Sequence, residues 1–250
     1  EIKKAAQGLV LKKVLLRGDY RMSHLDHYSR IAAMFEYPGI EFPQRIKTII
    51  EELETQEKYQ EAVSEIKMFF GFLPVDDLKK MQELFTRSFD VQSVTTLDLG
   101  YVLFGDDYKR GDMLANLNRE HRLAGNELNN ELSDHLPNLL RLIPKLTDEE
   151  VLHELVEEII APALRIMVAE FSPSRIDMKN KAYKKHYKTL IDVPETNSSV
   201  LYQHTLKALR ELLMADFKIV EKPAFGIKSD FLHSITQENE IEAKAENLSQ

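Results

Sequence analysis

The stretch DLGYVLFGDDYKRGDMLANLNREHRLAGNELNNELSDHLPNLLRLIPKL, residues 98–146, decides how the rest of the chain is read. Its glycines and prolines stand where helices would start and stop. Gly105 with Asp106 and Asp107 makes a turn, a helical pattern runs over 108–124, and Gly125 with Asn126 ends it. After a polar loop, Asp134 or His135 is expected to cap the next helix, with Pro137 in its first turn, where a missing N–H costs nothing. Leu136, Leu139, Leu140 and Ile143 then repeat at the spacing of one buried helix face. The lead-in from Ser93 to Phe104 is ambiguous, because Val94, Thr95, Thr96, Tyr101 and Val102 would suit a strand. No strand of comparable quality stands elsewhere to pair with it, and a lone strand leaves its backbone donors unmet, so the segment is expected to be helical.

Working towards the amino terminus, the pattern stays helical. Asp76 is expected to cap a helix carrying Leu78, Met81, Leu84 and Phe85 on one face. Before it, Tyr59, Val63, Ile66 and Phe70 form another, closed by Gly71 and Pro74, and Ile46, Ile49, Ile50 and Leu53 a third over Phe42 to Glu54. The earliest begins near Ser23, points Ile31, Met34 and Phe35 inward, and stops at Pro38 and Gly39. Residues 1–21 are expected to be a loosely held arm. Its apolar run Gly8 to Leu16 is interrupted by Lys12 and Lys13 and lacks a small-residue cleavage site, so it does not read as a signal peptide.

Towards the carboxyl terminus, Thr147 to Glu150 reads as a capping box that opens a long helix through Val151, Leu155, Ile159 and Met167, with a kink at Pro162. Ser172 to Ser174 break the pattern. A two-sided helix over Met178 to Ile191 sets Lys181, Lys184, Lys185 and Lys188 against Tyr183, Tyr187, Leu190 and Ile191. Pro194 to Ser199 links to a last helix, Val200 to Phe217, and residues 221–250 form a polar, acidic tail. The expected architecture is an all-α, single-domain bundle of about nine to ten helices, spanning 22–220.

Composition excludes whole classes of chemistry. The 250 residues contain no cysteine, which removes disulfides, thiolate nucleophiles and cysteine-ligated metals. The net charge of −8 provides no summed positive field to draw the chain onto nucleic acid or an anionic membrane. No apolar run approaches the ~20 residues of a membrane span. Neither a G-x-S-x-G elbow, an H-E-x-x-H helix nor a phosphate-cradling glycine loop occurs. The residues therefore point to no catalytic activity and no cofactor.

Three constellations carry other possibilities. Glu150 and His153 form the Glu-x-x-His step that di-iron bundles use, which makes a helical metal-binding enzyme the alternative reading. Such a site needs a second copy of the step and further glutamates, and no second copy is present. His24 and His27 can face one way, but two ligands do not make a site, so they are expected as surface histidines. The lysine face from Lys181 to Lys188, extended by Arg175 and Lys179, reads as a solvated face or a dock for an acidic partner rather than a nucleic-acid reader.

The central stretch resembles a known family. LFGDDYKRGDMLANL followed by ELSDHLPNLLRLIPKL is similar to the nitrate reductase delta-subunit family, the NarJ-type or TorD-like molybdoenzyme assembly chaperones. In that family an acidic turn and an Arg-Gly pair begin one helix, and an E-L-P-D-H-L-P segment begins the next. QELFTRSFD (82–90) is similar to its Y-x-x-L-F-x-R element, and Glu36-Tyr37-Pro38 to its L-x-Y-P. Ser133 stands where the family usually has proline, which predicts a looser loop, and Tyr101 to Phe104 lacks the family's usual histidine.

The resemblance implies a TorD-like, all-helical cytoplasmic chaperone without chemistry of its own. It would act as a monomer or homodimer and bind no nucleic acid and no membrane. Its partner would be the catalytic (alpha) subunit of a molybdopterin oxidoreductase of the nitrate reductase kind, held through its amino-terminal segment for molybdenum cofactor insertion. The positions matching the family's partner-binding motif are Arg110, Gly111, Asp134, His135, Leu136 and Pro137. A loop ending in Asp-His at a helix start offers a carboxylate, an imidazole and backbone donors to an extended peptide. Asp134 has the alternative role of a simple cap, and Pro137 that of shaping its helix.

Overall fold

The apolar spacing organises the chain into helices whose inner faces meet in one core. The computed structural model describes residues 24–128, 130–187 and 200–219, without the side chains of 185–187. The arm 1–21, the cap at Ser23, the linker Pro194–Ser199 and the tail 221–250 lie outside the described residues. Helix α1 (His27–Ile31) runs on as a 3-10 turn, Ala32–Phe35, with Ile31, Met34 and Phe35 buried as their spacing requires. Then come α2 (Phe42–Glu54), a short turn at Glu57–Tyr59, α3 (Gln60–Phe72) and α4 (Leu78–Phe89). Helices α5 (Leu99–Phe104), α6 (Tyr108–Leu123) and α7 (Leu136–Leu142) make up the central stretch. The chain continues through α8 (Glu149–Glu154), α9 (Ala161–Glu170), α10 (Pro173–Tyr187) and α11 (Tyr202–Phe217). No strand is formed among the described residues, and the protein is an all-α single-domain bundle.

The last helix is the spine. Leu206, Ala208, Leu209, Leu212 and Leu213 bury its inner stripe, and it lies chiefly along α3 and then α9. At its start Tyr202 is fully buried with Phe69, Phe85 and Phe89 around it, ring centroids 5.1, 5.8 and 5.0 Å away. That aromatic hub fastens α3 and α4 to α11; each such pair adds about 1 kcal/mol beyond its buried area.

Several local expectations change. Asp77, not Asp76, caps α4, accepting from the Lys80 N–H at 3.1 Å. Asp148, not Thr147, caps α8, accepting from the N–H groups of Glu150 and Val151. In both places two acceptors adjoin the helix start, and the residue whose backbone turns extended at the boundary takes the cap. Gly71 lies inside α3 rather than ending it, and Phe69 is fully buried while Phe70 packs against the core only partly buried. Before Pro162 the helix passes through a π-helical turn over Leu155–Ile160, and the proline stands in the first turn of α9. Of Ser93 to Phe104 only Leu99–Phe104 is helical; the preceding residues run irregularly into a single bridge, Asp98 to His135.

Candidate functional site: an arginine-bridged pair of aspartates beside an acidic aromatic cleft

The site grows from that bridge. The Leu136 N–H donates to the Leu97 carbonyl at 2.9 Å and the Leu99 N–H to the Asp134 carbonyl at 3.0 Å, so the starts of α5 and α7 are laced side by side. The Asp134 side chain is wholly buried between them. Its Oδ2 accepts from the Gly100 N–H and from Arg110 Nε, each at 3.1 Å. Asp134 thus does not cap its own helix α7, as one reading of the sequence had it; its carboxylate serves the first turn of α5. His135 takes the N-cap position of α7 without a side-chain cap.

Only glycine fits opposite that carboxylate. A Cβ on Gly100 would lie 2.7 Å from Asp134 Oδ2 and 2.4 Å from Met113 Cε. From the first turn of α6, Arg110 reaches across with its second nitrogen, Nη2, to Asp98 Oδ2 at 3.2 Å, over the Tyr101 ring. The other Asp98 oxygen lies 3.0 Å from His135 Nδ1. A carboxylate only accepts, so Nδ1 carries the hydrogen and Nε2 is left for other partners.

The two aspartates are driven apart electrostatically. Burial disfavours the charge on Asp98, but the hydrogen bond and charge of His135, with the Arg110 guanidinium, outweigh it and hold the carboxyl below its ordinary range. At Asp134 burial dominates; Arg110 and the Gly100 N–H oppose it only in part, the Asp98 charge adds to it, and the carboxyl is pushed up. Its Oδ1 is buried without a hydrogen bond. Asp98 is the dependable charge of the pair.

A second buried network holds the loop that delivers Asp134 and His135. His121 Nε2 faces the Ser133 carbonyl at 3.0 Å, and Asn126 Nδ2 reaches His121 Nδ1 at 2.9 Å and the Asn138 carbonyl at 3.1 Å. That pattern suits a neutral imidazole, and burial lowers the His121 pKa accordingly. Ser133 is buried, and its hydroxyl donates to the Leu114 carbonyl at 3.2 Å, which ties the end of the loop to α6.

Beside the bridge opens a cleft of about 440 Å³. Phe35, Phe85 and Phe89 make its apolar floor, backed by the Tyr202 hub, and Tyr37 stands edge-on to Phe85 at 5.7 Å, half exposed, as a wall. The polar lining includes four carboxylates, Glu36, Asp90, Asp98 and Glu131, against the Arg141 guanidinium and the His135 imidazole. Arg141 is already paired with Glu36, and His135 with Asp98. The cleft is therefore aromatic below and negative at its edge, a lining suited to a segment that carries both apolar and cationic side chains.

The six residues singled out in the sequence divide between surface and support. His135 and Pro137 line the cleft. Arg110 is mostly covered and acts as the bridge between Asp98 and Asp134. Asp134 and Leu136 are buried beneath, and Gly111 is exposed on α6, with nothing near its Cβ direction. Sequence reasoning missed Asp98, Glu36, Glu131 and Arg141, which come from four separate segments. Glu36 and Glu131 did lie inside quoted landmarks, Glu36-Tyr37-Pro38 and ELSDHLP, but nothing in those patterns marked either carboxylate as lining a shared cleft.

The other constellations resolve differently. Glu150 is exposed at the start of α8 and His153 pairs with Glu157 at 3.4 Å; among the described residues no three His, Asp or Glu side chains are grouped to hold a metal ion. His27 is not on the surface. It is buried with Nε2 at 3.0 Å from Asp216 Oδ2, and His24 Nε2 lies 3.8 Å from the same carboxylate. Lys179 leaves the basic face: it is buried, with Nζ 2.9 Å from Glu170 Oε2 and bonded to the Val94 carbonyl. No described helix is long and apolar enough to cross a membrane. Comparison with protein-family models gives no match to this chain, and comparison with curated proteins gives none.

Proposed function

We propose that this protein is a cytoplasmic assembly chaperone. It binds the catalytic subunit of a molybdopterin oxidoreductase of the nitrate reductase kind, through that subunit's amino-terminal segment, and holds it competent for molybdenum cofactor insertion. It performs no chemistry of its own and needs no cofactor. The observation that carries the reading is the placement of His135 and Pro137, from the motif D-H-L-P, in the lining of an aromatic, acid-edged cleft. The Arg-Gly landmark supports it from behind, since Arg110 fixes Asp98, which in turn orients the His135 ring.

The arrangement is suited to capture and release. An extended segment can set apolar side chains on Phe85 and Phe89, direct a cation to Asp90, Asp98 or Glu131, and meet the His135 ring with its backbone. The partly polar site favours contacts that form and break readily over permanent burial.

Co-expression with a candidate catalytic subunit, followed by pull-down and molybdenum analysis, tests the reading. A complex and chaperone-dependent cofactor loading are expected; full loading without the chaperone overturns it. His135→Ala should weaken the complex about tenfold or more, in the range of a lost interface anchor, while leaving helicity by circular dichroism unchanged. Loss of the fold would assign His135 to support alone.

A further inference from the structure

The arm and the cleft have opposite character. Residues 1–23, EIKKAAQGLVLKKVLLRGDYRMS, carry six lysines and arginines against two carboxylates, an excess of four positive charges, while the whole chain stands at −8. Residues 24–250 therefore carry −12. Inside the arm, GLVLKKVLL (8–16) interleaves Leu9, Val10, Leu11, Val14, Leu15 and Leu16 with Lys12 and Lys13, and Arg17 follows. That is the mixture of apolar and cationic side chains which Phe85, Phe89, Asp90, Asp98 and Glu131 are arranged to receive.

Reach is not limiting. The described chain begins at His24, and the run from His27 to Phe35 leads directly to the cleft wall at Glu36 and Tyr37. Nine residues of such helix cover about 15 Å. The seven steps from Arg17 to His24 can extend over about 23 Å, enough to return residues 9–17 along α1 to the cleft.

We infer that residues 9–17 occupy this protein's own cleft when no partner is bound, acting as a built-in stand-in for the segment it captures. The inference rests on the proposed function for the identity of that segment, but the self-contact itself does not. Tethering sets the effective concentration of the arm near the millimolar range. An incoming segment must displace it, so only a better match binds, and the aromatic floor is kept from promiscuous contacts between captures.

The test uses the full chain and a labelled synthetic peptide of residues 1–21, followed by fluorescence anisotropy. A chain with Lys12→Glu, Lys13→Glu and Arg17→Glu should bind the peptide at least tenfold more tightly than the unaltered chain, because its own arm no longer competes. Adding Asp90→Asn and Glu131→Gln, both exposed, should weaken that binding severalfold. Equal affinity for altered and unaltered chains, no binding to either, or indifference to the cleft substitutions overturns the inference. So does a peptide that binds anionic phosphatidylglycerol vesicles and not the protein.

The two proposals separate in the same experiments. If the charge-reversed chain captures the catalytic subunit but not the peptide, self-occupancy falls and the chaperone reading stands. If the peptide binds as expected and no molybdoenzyme subunit is ever captured, self-occupancy stands and the chaperone reading falls.

Discussion

At the residue scale the decisive pair is Gly100 and Asp134. The glycine has no special backbone angle to satisfy; it is needed because a carboxylate and a methionine methyl occupy the space its Cβ would fill. Met113 can swing aside, whereas Asp134 is tied by two hydrogen bonds. Gly100→Ala should therefore displace the carboxylate and destabilise the protein by about 1–3 kcal/mol, the usual cost of overpacking; a stability equal to wild type in urea titration would show that the site yields freely. Asp134→Ala removes the acceptor for both the Gly100 N–H and Arg110. Leaving the buried Gly100 N–H unsatisfied, with Arg110 held by Asp98 alone, should cost about 1–3 kcal/mol, again by urea unfolding. Asp134→Asn should cost less, since Oδ1 can still accept from either donor.

At the element scale, the short helices α5 and α7 could not stand alone, because helices of so few residues do not offset their own nucleation. They persist because the bridge between Asp98 and His135 joins their starts and because Leu136, Leu139 and Leu140 are fully buried. The caps belong to this scale too. Asp148 accepts from two backbone N–H groups at the start of α8, so Asp148→Ala should cost about 1 kcal/mol while Thr147→Ala costs little. Thermal unfolding of the two variants side by side decides between them. A larger effect from Thr147 would restore the capping box that the sequence suggested.

At the scale of the whole molecule, Asp216 near the end of α11 fastens the last helix to the first. Its carboxylate is wholly buried and lies 2.6 Å from Lys58 Nζ, 2.8 Å from the Tyr59 hydroxyl, 3.0 Å from the Tyr28 hydroxyl and 3.0 Å from His27 Nε2. Burial works against its charge, but His27, Lys58 and Tyr59 prevail and bring the pKa from 3.8 down to about 2. A carboxyl depressed in the folded state stabilises above its unfolded pKa, and that stability is lost as pH falls through the folded value. Wild type should thus lose roughly 2–3 kcal/mol between about pH 4 and pH 2 through this group. Asp216→Asn should be less stable at pH 7 and show a flatter acid limb in urea titrations; parallel limbs would remove Asp216 from the account.

Legibility follows the same scales. Helix existence and type were readable because a 3.6-residue apolar period is a property of neighbours in the chain, and it named Leu136, Leu139, Leu212 and Leu213 as core correctly. By itself the sequence determined the all-helical class, the order of helices and the landmarks Arg110, Asp134 and His135. The partners of those landmarks were not readable. Arg110 bridging Asp98 and Asp134, Lys179 turning inward to Glu170, and His27 meeting Asp216 across 189 positions all depend on which charged groups burial forces together. Such pairings are set by distance in space and by the cost of leaving a buried charge alone, and neither has a period along the chain; only the packed tertiary structure decided them.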